Sequence, residues 1–113
     1  MDKKIIFLDL DGTLTNDEKK ITPKTKEALM DIQKRGHIVA LASGRPTPGM
    51  GFIAKELELE KYGGYVMSFN GGKIIDWKTK ETVFENTLDR KYLPDLIRYA
   101  RQNNLGLITY DNK

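Results

Sequence analysis

The chain contains no cysteine. That excludes a disulfide framework and any thiolate metal site, zinc of that type included. No apolar run approaches the roughly 20 residues of a membrane-crossing helix. The N-terminus lacks a signal-peptide pattern, because Asp2 follows Met1 at once and the first apolar run is very short. A cytoplasmic location is therefore expected. There is no Lys/Arg block, no internal repeat and no low-complexity stretch. The 19 basic residues are scattered among 16 acidic ones, and a net charge of +3 makes a poor nucleic-acid footprint. A mild positive balance can still help attract small anions. What remains is 113 residues, 39% hydrophobic and 31% charged, which is one ordinary globular domain or a piece of a larger one.

Ile5, Ile6, Phe7 and Leu8 form an apolar run too short for a helix and rich in β-formers, as in a strand covered on both faces. It delivers Asp9, Leu10, Asp11, Gly12, Thr13 and Leu14. Two carboxylates two residues apart each disfavour ionisation of the other. A cation between them, or a division of catalytic labour, removes that conflict. An ordinary Asp-Gly turn is the competing explanation, and the apolar strand before it favours the functional one.

Thr22-Pro23 predicts an N-cap with proline in the first turn, opening a helix to about Arg35 with Thr25, Ala28, Leu29 and Ile32 on one face. A second apolar strand, Ile38 to Ala42, runs into Ser43-Gly44-Arg45. A short helix carrying Phe52, Ile53, Leu57 and Leu59 should follow, its start blurred by Pro48, Gly49 and Gly51. Tyr65 to Phe69 predicts a third strand, ending in Asn70-Gly71-Gly72. Strand, helix, strand, helix, strand is the pattern of a doubly wound, Rossmann-like α/β core with a parallel sheet. Ligand sites in such sheets lie beyond the carboxyl ends of the strands, and all three polar clusters follow carboxyl ends. Lys73–Asp76 and Glu81–Phe84 then predict an antiparallel hairpin. Leu88-Asp89 should lead into a helix from about Arg90 to Asn103, and Leu107 to Tyr110 begins another strand whose edge would invite pairing with another chain. Residues 1–83 read as the front of one domain and 84–113 as the beginning of a second.

On chemistry alone, Asp9 can attack phosphorus and Asp11 can exchange a proton with the leaving oxygen and with water. Carboxylate and carbonyl oxygens suit Mg²⁺. Ser43 can hydrogen-bond a phosphate oxygen, Gly44 leaves room for backbone N–H contacts, and Arg45 adds charge.

Asp9-Leu10-Asp11-Gly12-Thr13-Leu14 resembles the first signature of the haloacid dehalogenase superfamily of phosphatases, and Ser43-Gly44-Arg45 resembles its second. With Asn70-Gly71-Gly72, the hairpin and the new module, the pattern is similar to the Cof-type sugar-phosphate phosphatases, which insert an α/β cap after the third strand. The resemblance implies Asp9 as nucleophile, Asp11 as general acid/base, and Mg²⁺ held by the Asp9 carboxylate and the Asp11 carbonyl. It implies Leu10, Gly12, Thr13, Ser43, Gly44, Arg45 and Asn70 as phosphate- or substrate-binding positions. The substrate would be a small phosphorylated metabolite, with no nucleic acid and no membrane involved.

The family also uses a later lysine and a Gly-Asp-x-x-Asn-Asp motif, and neither occurs here. Lys73 and Lys113 are unsuitable substitutes. The expectation is thus a front portion of the enzyme, weak in Mg²⁺ binding and nearly inactive alone. A mutase or phosphotransferase would share this chemistry. A binding fragment is another alternative, and a receiver-like module is disfavoured because the third strand ends in Asn70. His37 and Trp77 are expected to have no functional role, Met50 to lie in a plain loop, and Tyr92, Tyr99 and Tyr110 to serve packing.

Overall fold

The structure, a computed structural model, describes residues 2–110. Five strands form one open sheet in the order β1 (Ile5–Asp9), β2 (Ile38–Ala42), β3 (Gly64–Ser68), β4 (Lys73–Asp76), β5 (Thr82–Glu85). The first three are parallel, with Leu8 opposite Leu41 and Leu41 opposite Val66; β4 and β5 add on antiparallel. This is the expected α/β core.

Helix α1 (Pro23–Lys34) begins where Thr22 caps the N–H of Thr25 at 3.4 Å and proline occupies the first turn. It stops at Gly36, whose φ of 97° an L side chain resists. Its inward face differs from expectation at two positions: Ala28 is exposed, while Gln33 is buried and donates to the Leu57 carbonyl at 2.9 Å. That bond ties α1 to the segment after β2. The segment itself is three short pieces instead of one helix: a 3₁₀ turn at Thr47–Gly49, α2 (Gly51–Glu56) and α3 (Leu59–Tyr62). The break falls at Glu58, which takes a left-handed φ of 55° and lets Leu57 and Leu59 both turn inward. Met50, expected in a plain loop, has no exposed surface and belongs to the core.

Leu29, Ile53, Ala54, Leu57 and Leu59 pack with Val39, Leu41 and Val66 in one cluster, so these helices cover one face of the sheet. The other face is open. Ile5 and Phe7 alternate with Ile6 and Leu8, and they remain 49% and 63% exposed. The expectation that β1 is covered on both faces therefore fails within the described residues. β1 pairs only with β2 and nothing described lies over Phe7.

Beyond the hairpin, α4 (Leu93–Gln102) follows a 3₁₀ turn capped by Asp89. Leu96 and Ile97 are about 40% exposed, and Tyr92 and Tyr99 more so, against the expected packing role. Tyr110 does meet an aromatic partner, Phe69, at 5.9 Å. Residues 105–110 form no strand, against expectation, and no described strand pairs with them. Lys113 lies outside the described residues.

Candidate active site

Because β1, β2 and β3 are parallel, Asp9, Ala42 and Ser68 end on one edge of the sheet. The loops that follow are stitched together. Leu10 N–H donates to the Ala42 carbonyl at 3.1 Å, Ser43 N–H to Met67 at 3.0 Å, Asn70 N–H to Ser43 at 3.1 Å, and Phe69 N–H to Arg45 at 2.9 Å. A shallow cavity of about 290 Å³ opens there, lined by Asp9, Ser43, Gly44, Asn70 and Gly71, with Ala42 and Met67. A larger depression of about 450 Å³ lies elsewhere, along α1, and gathers no comparable chemistry.

Asp9 is exposed, and its carboxylate accepts one hydrogen bond, from the Thr13 hydroxyl at 3.3 Å. Among the described residues it makes no ion pair. Gly12, at φ 80°, turns the loop so that Leu14 N–H returns to the Asp9 carbonyl at 3.0 Å. The N–H groups of Thr13 and Gly44 donate to no described protein acceptor, whereas a parallel bridge joins Asp11 to Thr15 and engages Gly12 N–H. The Ser43 hydroxyl accepts from Arg45 N–H at 3.1 Å, which leaves its own hydrogen free to donate. Leu10 differs from expectation. Its side chain is wholly buried, its N–H is taken by Ala42, and its carbonyl by Thr15, so it has nothing left to offer a ligand.

Asp11 is held by Arg45 in a two-pronged ion pair, Nε to Oδ2 at 3.0 Å and Nη2 to Oδ1 at 2.5 Å. The hydrogen bonds from Arg45 hold the Asp11 carboxyl below its ordinary value of 3.8; desolvation opposes this slightly, and the charges of Arg45 and Lys19 add to it. A depressed carboxylate pKa adds stability above the ordinary value, and that stability is lost as pH falls through the folded value. Arg45→Gln should therefore cost more stability at pH 6 than at a pH low enough to protonate Asp11 in the folded protein. Denaturant unfolding at both pH values checks this, and an equal loss at both would contradict it.

Arg45 and Asn70 are placed differently from each other. Asn70 lines the cavity in a left-handed conformation, φ 54°, between Phe69 at 53° and Gly71 at 89°. Phe69 is a bulky residue in that region, a strained placement of the kind that clusters at sites. A Cβ on Gly44 would come 2.9 Å from the Asn70 Oδ1. Gly44→Ala should push Asn70 out of place and raise the KM for a phosphate ester by about tenfold or more, displacements near 1 Å being costly. Steady-state kinetics on the full-length protein test this; an unchanged KM would show that Asn70 does not matter.

For Mg²⁺ the fit is partial. The Asp9 carboxylate is free of cations, and the Asp11 carbonyl accepts no described backbone hydrogen bond, whereas the Asp9 and Leu10 carbonyls are both taken. Two oxygen donors are thus available. No group of three or more acidic or histidine ligands occurs among the described residues.

Three contributors were not visible in the sequence. The hydroxyls of Thr47 and Ser68 meet at 2.6 Å, and Phe52 lies 5.9 Å from the Arg45 guanidinium. Only an alignment of loop against strand end could have joined Thr47 to Ser68, 21 residues apart.

The free Asp9 carboxylate, the Ser43 hydroxyl and the unpaired N–H groups lie at the carboxyl edge of an open α/β sheet, where ligand sites in such sheets occur. The chain belongs to the haloacid dehalogenase-like hydrolases, whose family model matches residues 6–113. A haloacid dehalogenase-like hydrolase from Bacteroides thetaiotaomicron superposes with a TM-score of 0.89 at 47% identity, over 97% of this chain and 41% of that one. YxeH of Bacillus subtilis, named as a candidate phosphatase, is 36% identical over 75% of this chain and 32% of its own length. From the same organism, 5-amino-6-(5-phospho-D-ribitylamino)uracil phosphatase YcsE is 32% identical over 67% of this chain and 29% of its own. The chain thus spans about a third of the curated relatives it matches.

Proposed function

We propose that the full-length protein is a Mg²⁺-dependent phosphomonoesterase acting on small phosphorylated metabolites, sugar phosphates foremost, in the cytoplasm. Residues 1–83 would be the front of its catalytic core and 84–113 the beginning of its cap. The observation that carries this reading is the convergence of Asp9, Ser43, Gly44 and Asn70 on one cavity at the carboxyl edge of three parallel strands.

In this mechanism Asp9 forms a bond to phosphorus through one carboxylate oxygen while the bond from phosphorus to the ester oxygen breaks. Asp11, whose resting form is the carboxylate held by Arg45, takes up a proton from solvent once off that fork and gives it to the departing oxygen. Water then attacks phosphorus, Asp11 takes the water's proton, and the phosphorus–Asp9 bond breaks to release inorganic phosphate. Ser43 Oγ–H and the free N–H groups of Thr13 and Gly44 hold the phosphoryl oxygens, with Gly12 beside them in the turn. Mg²⁺, on the Asp9 carboxylate and the Asp11 carbonyl, would offset negative charge at the phosphoryl group. The relatives support this reading by name, YcsE being called a phosphatase. The 113-residue chain alone is proposed to be nearly inactive, since its oxygen ligands are too few.

A panel of sugar phosphates assayed on the full-length protein with and without Mg²⁺ tests the reading. Phosphate release that needs Mg²⁺ supports it. Transfer of the phosphoryl group to an added sugar, in place of release, would make the protein a mutase or phosphotransferase instead. No turnover of any phosphate ester would overturn it.

A further inference from the structure

Asp11 and Arg45 do not line the cavity that Asp9, Ser43, Gly44 and Asn70 enclose. The residue cast as acid and base is turned aside, its two oxygens both on the Arg45 fork, and no other described side chain hydrogen-bonds to its carboxylate. The fork is the fixed partner. The third guanidinium nitrogen, Nη1, donates to the Gly49 carbonyl at 3.2 Å, and the guanidinium carbon sits 5.9 Å from the centre of the Phe52 ring. The Arg45 main chain is pinned through its N–H on Ser43 Oγ and its carbonyl under Phe69 N–H. Its side chain is 22% exposed, whereas that of Asp11 is 50% exposed and precedes Gly12, which has open space around it.

We infer that the Arg45 fork is a shared seat, occupied by the Asp11 carboxylate in the resting site and taken over by phosphoryl oxygens when a phosphate ester enters, so that Asp11 is freed to turn toward the ester oxygen. The inference rests on the phosphatase reading above and makes Arg45 a positioning residue for Asp11. A planar guanidinium presents parallel N–H donors that suit a carboxylate and a phosphoryl group alike. An exposed ion pair contributes little in water, so a dianion can displace a single carboxylate from the fork. Arg45 follows Ser43-Gly44 directly, so the seat and the cavity share one rigid loop. Substrate arrival and release of the acid/base then become one event, which keeps Asp11 from acting before a substrate is present.

Inorganic phosphate titrated into the full-length protein, at fixed pH and fixed Mg²⁺, is the test. NMR follows the Asp11 carboxyl carbon, the Arg45 Nε–H and the amides of Ser43, Gly44 and Asn70. All should move along one saturation curve. Asp11→Asn should tighten phosphate binding by about tenfold in calorimetry, as expected if the fork is free only a tenth of the time in the wild type. That gain should vanish in the Arg45→Gln background. Should Arg45→Gln not fold, Arg45→Lys keeps the charge without the fork and should shrink the gain.

A gain that persists without the fork would mean simple removal of charge repulsion, and it overturns the exchange. Movement of the Ser43, Gly44 and Asn70 amides with Asp11 and Arg45 static would leave the anion site standing and end the exchange. If no resonance moves, the anion site and the exchange fall together. Turnover of phosphate esters by the wild type tests the phosphatase reading separately.

Discussion

Replacing Asp9 with Asn in the full-length protein is expected to lower kcat on every phosphate ester by about a thousand-fold or more, with the fold intact. The two side chains have the same shape. Asp9 is exposed, makes no described ion pair, and accepts only the 3.3 Å hydrogen bond from Thr13, so the stability change should stay within about 0.5 kcal/mol. A purely structural aspartate in that setting would be replaceable at no cost. A nucleophile is not, because the amide oxygen has neither the charge nor the basicity to hold phosphorus. Asp11→Asn separates the second role from the first. It should cost about a hundred-fold on an alkyl phosphate, whose departing oxygen needs a proton, and far less on an aryl phosphate with an acidic leaving group. Retention of activity after Asp9→Asn, or an equal loss on both leaving groups after Asp11→Asn, would contradict these assignments. Circular dichroism and denaturant unfolding of each variant verify that the fold is intact.

The elements that local chemistry specifies were legible in the sequence. Thr22-Pro23 does open α1, the runs at Ile38 and Tyr65 do form parallel strands, and Lys73–Asp76 begins the hairpin where expected. The β5 strand lies one residue later than expected, at Thr82–Glu85, with a register irregularity at Ile74/Ile75 that no periodicity announces. What failed depended on neighbours distant in sequence. Leu10 sits between two site carboxylates and matches the motif, yet its buried backbone is used up by Ala42 and Thr15. Met50 lies between glycines and looks like loop, but the left-handed turn at Glu58 and the Thr47–Gly49 turn bring it and Leu57 into one core. Trp77, given no functional role, packs against that core, with the Lys80 ammonium 3.5 Å from its ring centre, a structural part that its place at the hairpin tip did not announce. The site follows the same division. That the ends of β1, β2 and β3 bring Asp9, Ser43 and Asn70 to one edge was readable from the order of the elements. The pairing of Asp11 with Arg45, which spans 34 residues, was not.

The second large effect concerns the 113 residues by themselves. Their accessible surface is 8334 Å², whereas a compact protein of 12.9 kDa exposes about 6,300 Å². The Cα radius of gyration is 16.8 Å, against about 13 Å expected for this length. The excess, about 2,000 Å², is the size of a substantial protein interface. It has identifiable sources: Ile5 and Phe7 on the open sheet face, Phe84 on β5, Leu93, Leu96 and Ile97 along α4, and the exposed Leu105, Leu107 and Ile108. At roughly 25 cal/mol per Å² of apolar surface, leaving such area wet forgoes more stabilisation than the whole margin of a small domain. The chain expressed alone is therefore expected to bind a hydrophobic dye, to self-associate in sedimentation, and to unfold at low denaturant without a sharp transition. Lysine at Ile5 and Phe7 should lower its association without disturbing the core, since both side chains point away from Leu41 and Val66. The same two substitutions in the full-length protein discriminate between an open face and a covered one. If that face is covered by the rest of the protein, they should destabilise it by several kcal/mol, each placing a charge in an apolar contact. A monomeric, cooperatively folding 113-residue chain that ignores the dye would show that the exposed sheet face needs no cover.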